Sequence, residues 1–298
     1  MKQHERLDIF ATLAMVVLTA SWGFQQVAIK VTNEAVSPAF QSGLRCAGAF
    51  VLLLIWCYAR GIKLFERDGT LVPGLIVGFL FASEFVFIYW ALVYTDVARS
   101  ILFLYVSPFV VALGAHYLLP NERMGVMQVA GLLCAFGGLV LALRDSLSVP
   151  STTALIGDLM MLVAAILWAV TTLVIKTTSL VKIHSAKTLA YQLGVTALFM
   201  PAALLAGESG ITKFDGLVAA SLAYQIVIVA FLSYLAWFAL VRTYPASTLS
   251  VFTFLSPLFA MLSGAYFLNE RVSPLLWLAL ALVASGIWLV NRPRKQAT

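Results

Sequence analysis

The chain has 298 residues, 62% of them hydrophobic and only 11% charged, with a mean hydropathy of +0.97 and a formal net charge of +6. A soluble globule carries about a quarter charged residues, so this composition describes an integral membrane protein. A span needs about 20 residues, so ten spans leave only short loops and no room for a soluble motor, ectodomain or catalytic domain. Nucleic-acid binding is excluded despite the basic isoelectric point near 9.3.

In chain order, apolar runs predict ten membrane helices near 9–29, 39–58, 71–93, 98–119, 124–143, 154–175, 186–206, 216–240, 247–268 and 273–290. These are continuous runs and not the alternating ten-residue pattern of a barrel. The basic start from Met1 to Arg6 superficially resembles a signal peptide. The apolar run continues to Ile29 without a small-x-small cleavage site, which predicts an uncleaved first span. Ten spans put both termini on one side. That side carries thirteen Lys and Arg residues against five opposite, with Arg45 inside a span, so both termini are expected in the cytoplasm.

The sequence resembles itself at a separation near 148 residues. Trp22 with Lys30 matches Trp168 with Lys176, Ser107-Pro108 matches Ser256-Pro257, and Asn121-Glu122-Arg123 matches Asn269-Glu270-Arg271. Gly138 matches Gly286 in the same series. Two five-span halves, 1–145 and 146–298, follow. Because five is odd, the second half enters the membrane inverted relative to the first, a pattern of secondary transporters with a midplane site between the repeats.

This duplicated set resembles the EamA branch of the drug/metabolite transporter superfamily: a Trp in the first helix, a Pro in the fourth, and a Glu opening the fifth with a small residue nine positions on (Glu122 to Gly131, Glu270 to Ala279). Leu44-Arg45 with Ala49 is similar to that family's second-helix pattern. The resemblance covers nearly the whole chain. It implies an all-α fold of ten transmembrane helices around a central cavity, and transport of small metabolites, often export of amino acids or their relatives. The chain departs from the pattern at Gln25-Gln26 and at Glu84.

Several residues are candidates for a transport site. A carboxylate halfway along a span, Glu84, is costly unless paired, wetted or protonated, and Arg45 lies at a similar depth. Glu84 is therefore either a cavity residue, with a coupling proton as one candidate partner, or half of a structural ion pair. Gln25 and Gln26 share a helix face with Trp22, and Thr171 and Thr172 follow Trp168 at the same spacing. A ring beside hydrogen-bonding groups suits an amphipathic solute; interface aromatics with polar interhelical contacts are the alternative. Tyr191, with Gln192 beside it opposite Arg45 in the repeat, Tyr234 and Trp237 are further lining candidates. Pro108 and Pro257 are expected to bend their helices and to serve as hinges.

Other residues read as structural. Glu122 and Glu270 suit helix capping and local pairing with Arg123 and Arg271, and Asp158 a first-turn helix acid. His116 fits an interfacial role, and Gly131 and Gly138 a close helix contact. The three cysteines, Cys46, Cys57 and Cys134, lack metal or disulfide spacing. No cofactor, metal or catalytic motif is indicated. The sequence therefore points to a secondary transporter for small amphipathic metabolites, with amino acids, including aromatic ones, leading. Nucleosides, sugars or cationic drugs remain alternative cargoes, and a passive channel or membrane-embedded enzyme alternative classes. Lipid and the small-molecule substrate are the expected partners, in a bacterial inner membrane.

Overall fold

The computed structural model describes residues 7–64, 66–95, 97–144, 151–268 and 274–291. Among these, nine helical segments are long and apolar enough to cross a membrane, and a shorter tenth, Leu275–Val290, completes the series. The first three spans are α1 (Ile9–Asn33), α2 (Pro38–Ala59) and α3 (Leu71–Tyr94). Caps mark the ends locally: the Asp8 side chain accepts the Ala11 N–H at the start of α1, and Pro38 opens α2 where no helical donor is needed.

Three spans expected as single helices are each two. The fourth is α4 (Val97–Leu104) and α5 (Ser107–Leu118). After α6 (Val126–Leu143) and α7 (Thr152–Thr177), the seventh is α8 (Ser185–Ala197) and α9 (Phe199–Leu205). The eighth runs as α10 (Gly216–Ala223), a π-helical stretch Tyr224–Ser233, and α11 (Tyr234–Thr243). The ninth is α12 (Ala246–Phe252) and α13 (Leu255–Leu268), and α14 (Leu275–Val290) is the tenth.

Proline accounts for the breaks. Pro108, Pro201 and Pro257 each sit within the first three residues of the helix after a break, where a missing N–H costs least and the preceding turn loses a bond. The turns at Tyr105-Val106 and Thr253-Phe254 are themselves 148 residues apart, so the break recurs with the sequence repeat. The two breaks meet, with the Tyr105 and Phe254 ring centroids 5.9 Å apart.

Helix pairing also follows the repeat. α6 packs along α14 through their small residues. A Cβ on Gly131 would lie 2.6 Å from the Gly286 carbonyl oxygen, and one on Gly138 2.9 Å from that of Ala279. Ala279 and Gly286 are the repeat mates of Gly131 and Gly138, so each residue meets the other's counterpart. α1 packs on α13 as α7 packs on α4 and α5, and α2 packs on α8 and α9. Many large apolar side chains point outward, including Ile9, Phe10, Phe79 and Trp277, as a lipid-facing surface requires.

Candidate functional site

Three of the aromatic residues picked from sequence converge. Trp237 of α11 packs edge-on against Trp22 of α1, with centroids 5.7 Å apart, and stacks on Trp168 of α7 at 6.0 Å. Trp22 Nε1 donates to Ser233 Oγ at 2.8 Å. Ser233 ends the π-helical stretch, and its own hydroxyl donates to the Val229 carbonyl. A π turn rotates the helix beyond it, which helps turn Ser233 and Trp237 toward α1 and α7.

A second run of ring contacts leads from Tyr234 to Arg45. Tyr234, one turn before Trp237, lies 5.9 Å from Phe81 of α3, and Phe81 lies 5.0 Å from Phe85. The Arg45 guanidinium sits over the Phe85 ring, 4.8 Å from its centroid, a favourable use of a cation on an aromatic face. Arg45 is 1% exposed and Glu84, next to Phe85, is 5% exposed. The two lie on α2 and α3, which pack on each other. Among the described residues, however, no ion pair joins them directly. Glu84 Oε2 finds no hydrogen-bond partner among the described residues.

The remaining candidates differ in what they offer. Gln25 is buried beside the Trp22 turn. The Gln26 side chain lies outside the described residues, as do the Lys30 side chain and residues Asn269, Glu270 and Arg271. Thr171 and Thr172 donate to the carbonyls of Leu167 and Trp168, one turn back on their own helix. The Tyr191 hydroxyl reaches Thr70 Oγ1, 3.2 Å away at the start of α3, and its ring packs on Gly74. Its neighbour Gln192 is wholly buried. A separate apolar groove of about 420 Å³ between α1 and α13, lined chiefly by Phe24, Phe259, Leu262, Tyr266 and Phe267, holds none of these residues.

Polar contacts at the two ends of the helices depart from the sequence reading. Glu122 does not pair with Arg123 or cap its own helix. Its Oε1 lies 2.9 Å from Lys176 Nζ, and its Oε2 accepts the Ala246 N–H at the start of α12. Lys176 also donates to the Tyr244 carbonyl, and the Tyr244 hydroxyl donates to Asp8. Local pairing loses because Glu122 lies in a short 3-10 turn that faces these helices. Asp158 is the seventh residue of α7, too deep to cap it, and instead pairs with Arg99 and accepts from Thr95 Oγ1. His116 Nδ1 accepts the Met124 N–H, which satisfies it as an interfacial residue. The cysteines are free thiols, and Cys134 donates to the Leu282 carbonyl.

The sequence reading missed Phe81, Phe85 and Ser233. Phe81 lies three residues before Glu84, so a search for rings on the helix face of the buried carboxylate would have found it. Phe85 and Ser233 carry no signal before their neighbours are known.

Comparison with known proteins agrees with this architecture. The chain is 24% identical over 98% of its length, and all of the relative's, to an "Uncharacterized transporter" of Archaeoglobus fulgidus. It is 25% identical to the "Uncharacterized transporter YoaV" of Bacillus subtilis, over 93% of this chain and 95% of that one. It is 26% identical to the "Probable amino-acid metabolite efflux pump" of Escherichia coli (strain K12), over 93% of each chain. A solved crystal structure superposes with a TM-score of 0.80 at 18% identity, covering 93% of this chain and 95% of that one, and shares the fold. The profile of the EamA-like transporter family matches twice in tandem, at residues 9–144 and 155–292. With both matches together covering most of its length, the chain belongs to the EamA-like transporter family, within the drug/metabolite transporter superfamily.

Proposed function

We propose that this transporter exports small amphipathic metabolites, foremost amino acids including aromatic ones, by alternating access between two inverted halves, 1–145 and 146–298. The observation that carries this reading is the gathering of rings on neighbouring helices: Trp22, Trp168 and Trp237 in one cluster, and Tyr234, Phe81 and Phe85 in a run that ends under the Arg45 guanidinium, next to Glu84 in sequence. One cation, one anion and an aromatic wall match the two charged ends and the apolar side chain of an aromatic zwitterion. The relative named as an amino-acid metabolite efflux pump favours the same class.

Alternating access draws on the recurring breaks before Pro108 and Pro257 and on the crossed Gly131–Gly286 and Gly138–Ala279 contacts. Discontinuous helices that meet at the repeat interface are where such carriers bind substrate and flex. In this reading Glu84 meets the substrate ammonium or carries a coupling proton, the termini face the cytoplasm, and the protein resides in a bacterial inner membrane.

Purified protein in liposomes, offered labelled amino acids, nucleosides, sugars and cationic drugs with and without a pH gradient, tests the proposal. Saturable, competable amino-acid transport supports it. Transport confined to another of these classes overturns the substrate assignment and leaves the fold and family unchanged.

A further inference from the structure

A buried primary amide in an apolar interior normally finds partners for both its ends, because each orphaned group loses its water without compensation. Gln225 obeys this rule: it accepts from Gln41 Nε2 at 3.0 Å and donates to Thr32 Oγ1 at 3.1 Å. Gln192 of α8 does not. It is 0% exposed, and neither its Oε1 nor its Nε2 has a hydrogen-bond partner among the described residues. One turn earlier on the same face, Thr188 Oγ1 is equally buried and also without a partner.

Position adds an independent argument. The buried series Gln41, Ser42, Arg45, Cys46 and Ala49 on α2 recurs on α8 as Thr188, Leu189, Gln192, Leu193 and Thr196, at a constant shift of 147. Gln192 therefore occupies the repeat position of Arg45, on a helix that packs against both α2 and α3. With Arg45 and Glu84 already buried on α2 and α3, a primary amide here adds a polar group without adding formal charge. A second guanidinium would add a positive charge. A primary amide also offers donors to a carboxylate and an acceptor to an ammonium.

We propose that Gln192 is a specificity-determining residue of the transport site, hydrogen-bonding the ammonium–carboxylate end of a zwitterionic substrate with Thr188 beside it. This rests on the amino-acid reading above. The orphaned amide is a group whose partners arrive with the substrate, when the two halves part to admit it.

The test uses the full-length protein in liposomes, with labelled phenylalanine and its decarboxylated amine as probes and thermal unfolding in detergent as a parallel readout. Removing a buried orphan in favour of an apolar group of similar shape leaves stability unchanged or raised. Gln192→Met is expected to melt no lower than wild type, whereas Gln225→Met, which breaks made hydrogen bonds, melts lower. Gln192→Met should raise the KM for phenylalanine about tenfold or more, the loss typical of a hydrogen bond to a charged group. It should also bring the preference for phenylalanine over the amine toward unity. Thr188→Val, a near-isosteric change, should shift both in the same direction by less. A wild-type KM and preference in a stable Gln192→Met protein, or a Gln192→Met protein that melts as low as Gln225→Met, overturns the proposal. In either case amino-acid transport by wild type leaves the functional reading standing. Absence of saturable phenylalanine transport by wild type contradicts that reading, and this inference falls with it.

Discussion

Lys176 Nζ lies 2.9 Å from Glu122 Oε1, with side-chain exposures of 0% and 2%, and this ion pair ties the end of the sixth span to the turn before the fifth. Removing one partner from a buried pair leaves a charge with no compensation, at a cost of about 3–5 kcal/mol. Glu122→Gln should therefore lower the melting temperature sharply in detergent. The double change with Lys176→Met should recover much of the loss, because no charge is then stranded. A double variant no more stable than Glu122→Gln would show that the pair does not act as a unit.

The crossing of α6 and α14 leaves no space for a side chain at its centre. A Cβ on Gly286 would lie 2.5 Å from the Gly131 carbonyl oxygen, and one on Gly131 2.6 Å from that of Gly286. Overpacking of this kind costs about 1–3 kcal/mol, so Gly131→Ala and Gly286→Ala should each destabilise the protein. Gly137→Ala, which meets nothing within 4 Å, is the matched control and should not.

The ten spans were legible because each apolar run ends at a Pro, a Gly or a charge, and helix length in a membrane is set by bilayer thickness. Pro108 and Pro257 marked their breaks for the same local reason, and the paired sequence motifs anticipated the recurrence at 148 residues. Partners across the bundle were not legible. Glu122 meets a lysine 54 positions away, and nothing near Glu122 distinguishes that partner from Arg123. The convergence of Trp22, Trp168 and Trp237 depends on a π-helical stretch that no Pro or Gly announces within Tyr224–Ser233. The sequence could nominate Arg45 as the neighbour of Glu84 by depth, but only the packing of α2 on α3 puts the Phe85 ring under the guanidinium.

Asp68, in the connection between α2 and α3, makes stability depend on pH. Hydrogen bonds from the Thr70 hydroxyl and from Lys187, 2.9 Å away, hold its carboxyl down to about 2. An unfolded aspartate titrates near 3.9. The folded value is the lower one, so the stabilisation is complete above about pH 4 and disappears as the pH falls through about 2. Unfolding of wild type and Asp68→Asn compared from pH 6 downward should show a gap that closes over that window. A gap independent of pH would contradict the assignment.

The Trp triad predicts a functional effect separable from folding. Trp22→Ala and Trp168→Ala each remove one ring packed against Trp237. Each should impair transport of aromatic amino acids, measured at equal protein in the membrane, more than transport of small aliphatic ones. Unchanged kinetics for both variants across the substrate panel would assign the rings to packing alone.

The most direct measurement is counterflow in proteoliposomes. Vesicles loaded with unlabelled phenylalanine and diluted into a trace of labelled phenylalanine should accumulate label transiently above equilibrium, saturably, and much less so with Glu84→Gln where the carboxylate meets the substrate ammonium. That result requires a carrier whose site is exposed to one side at a time. Label that only equilibrates, at a rate proportional to concentration and unaffected by Glu84→Gln, would contradict alternating access around the Arg45–Glu84 region.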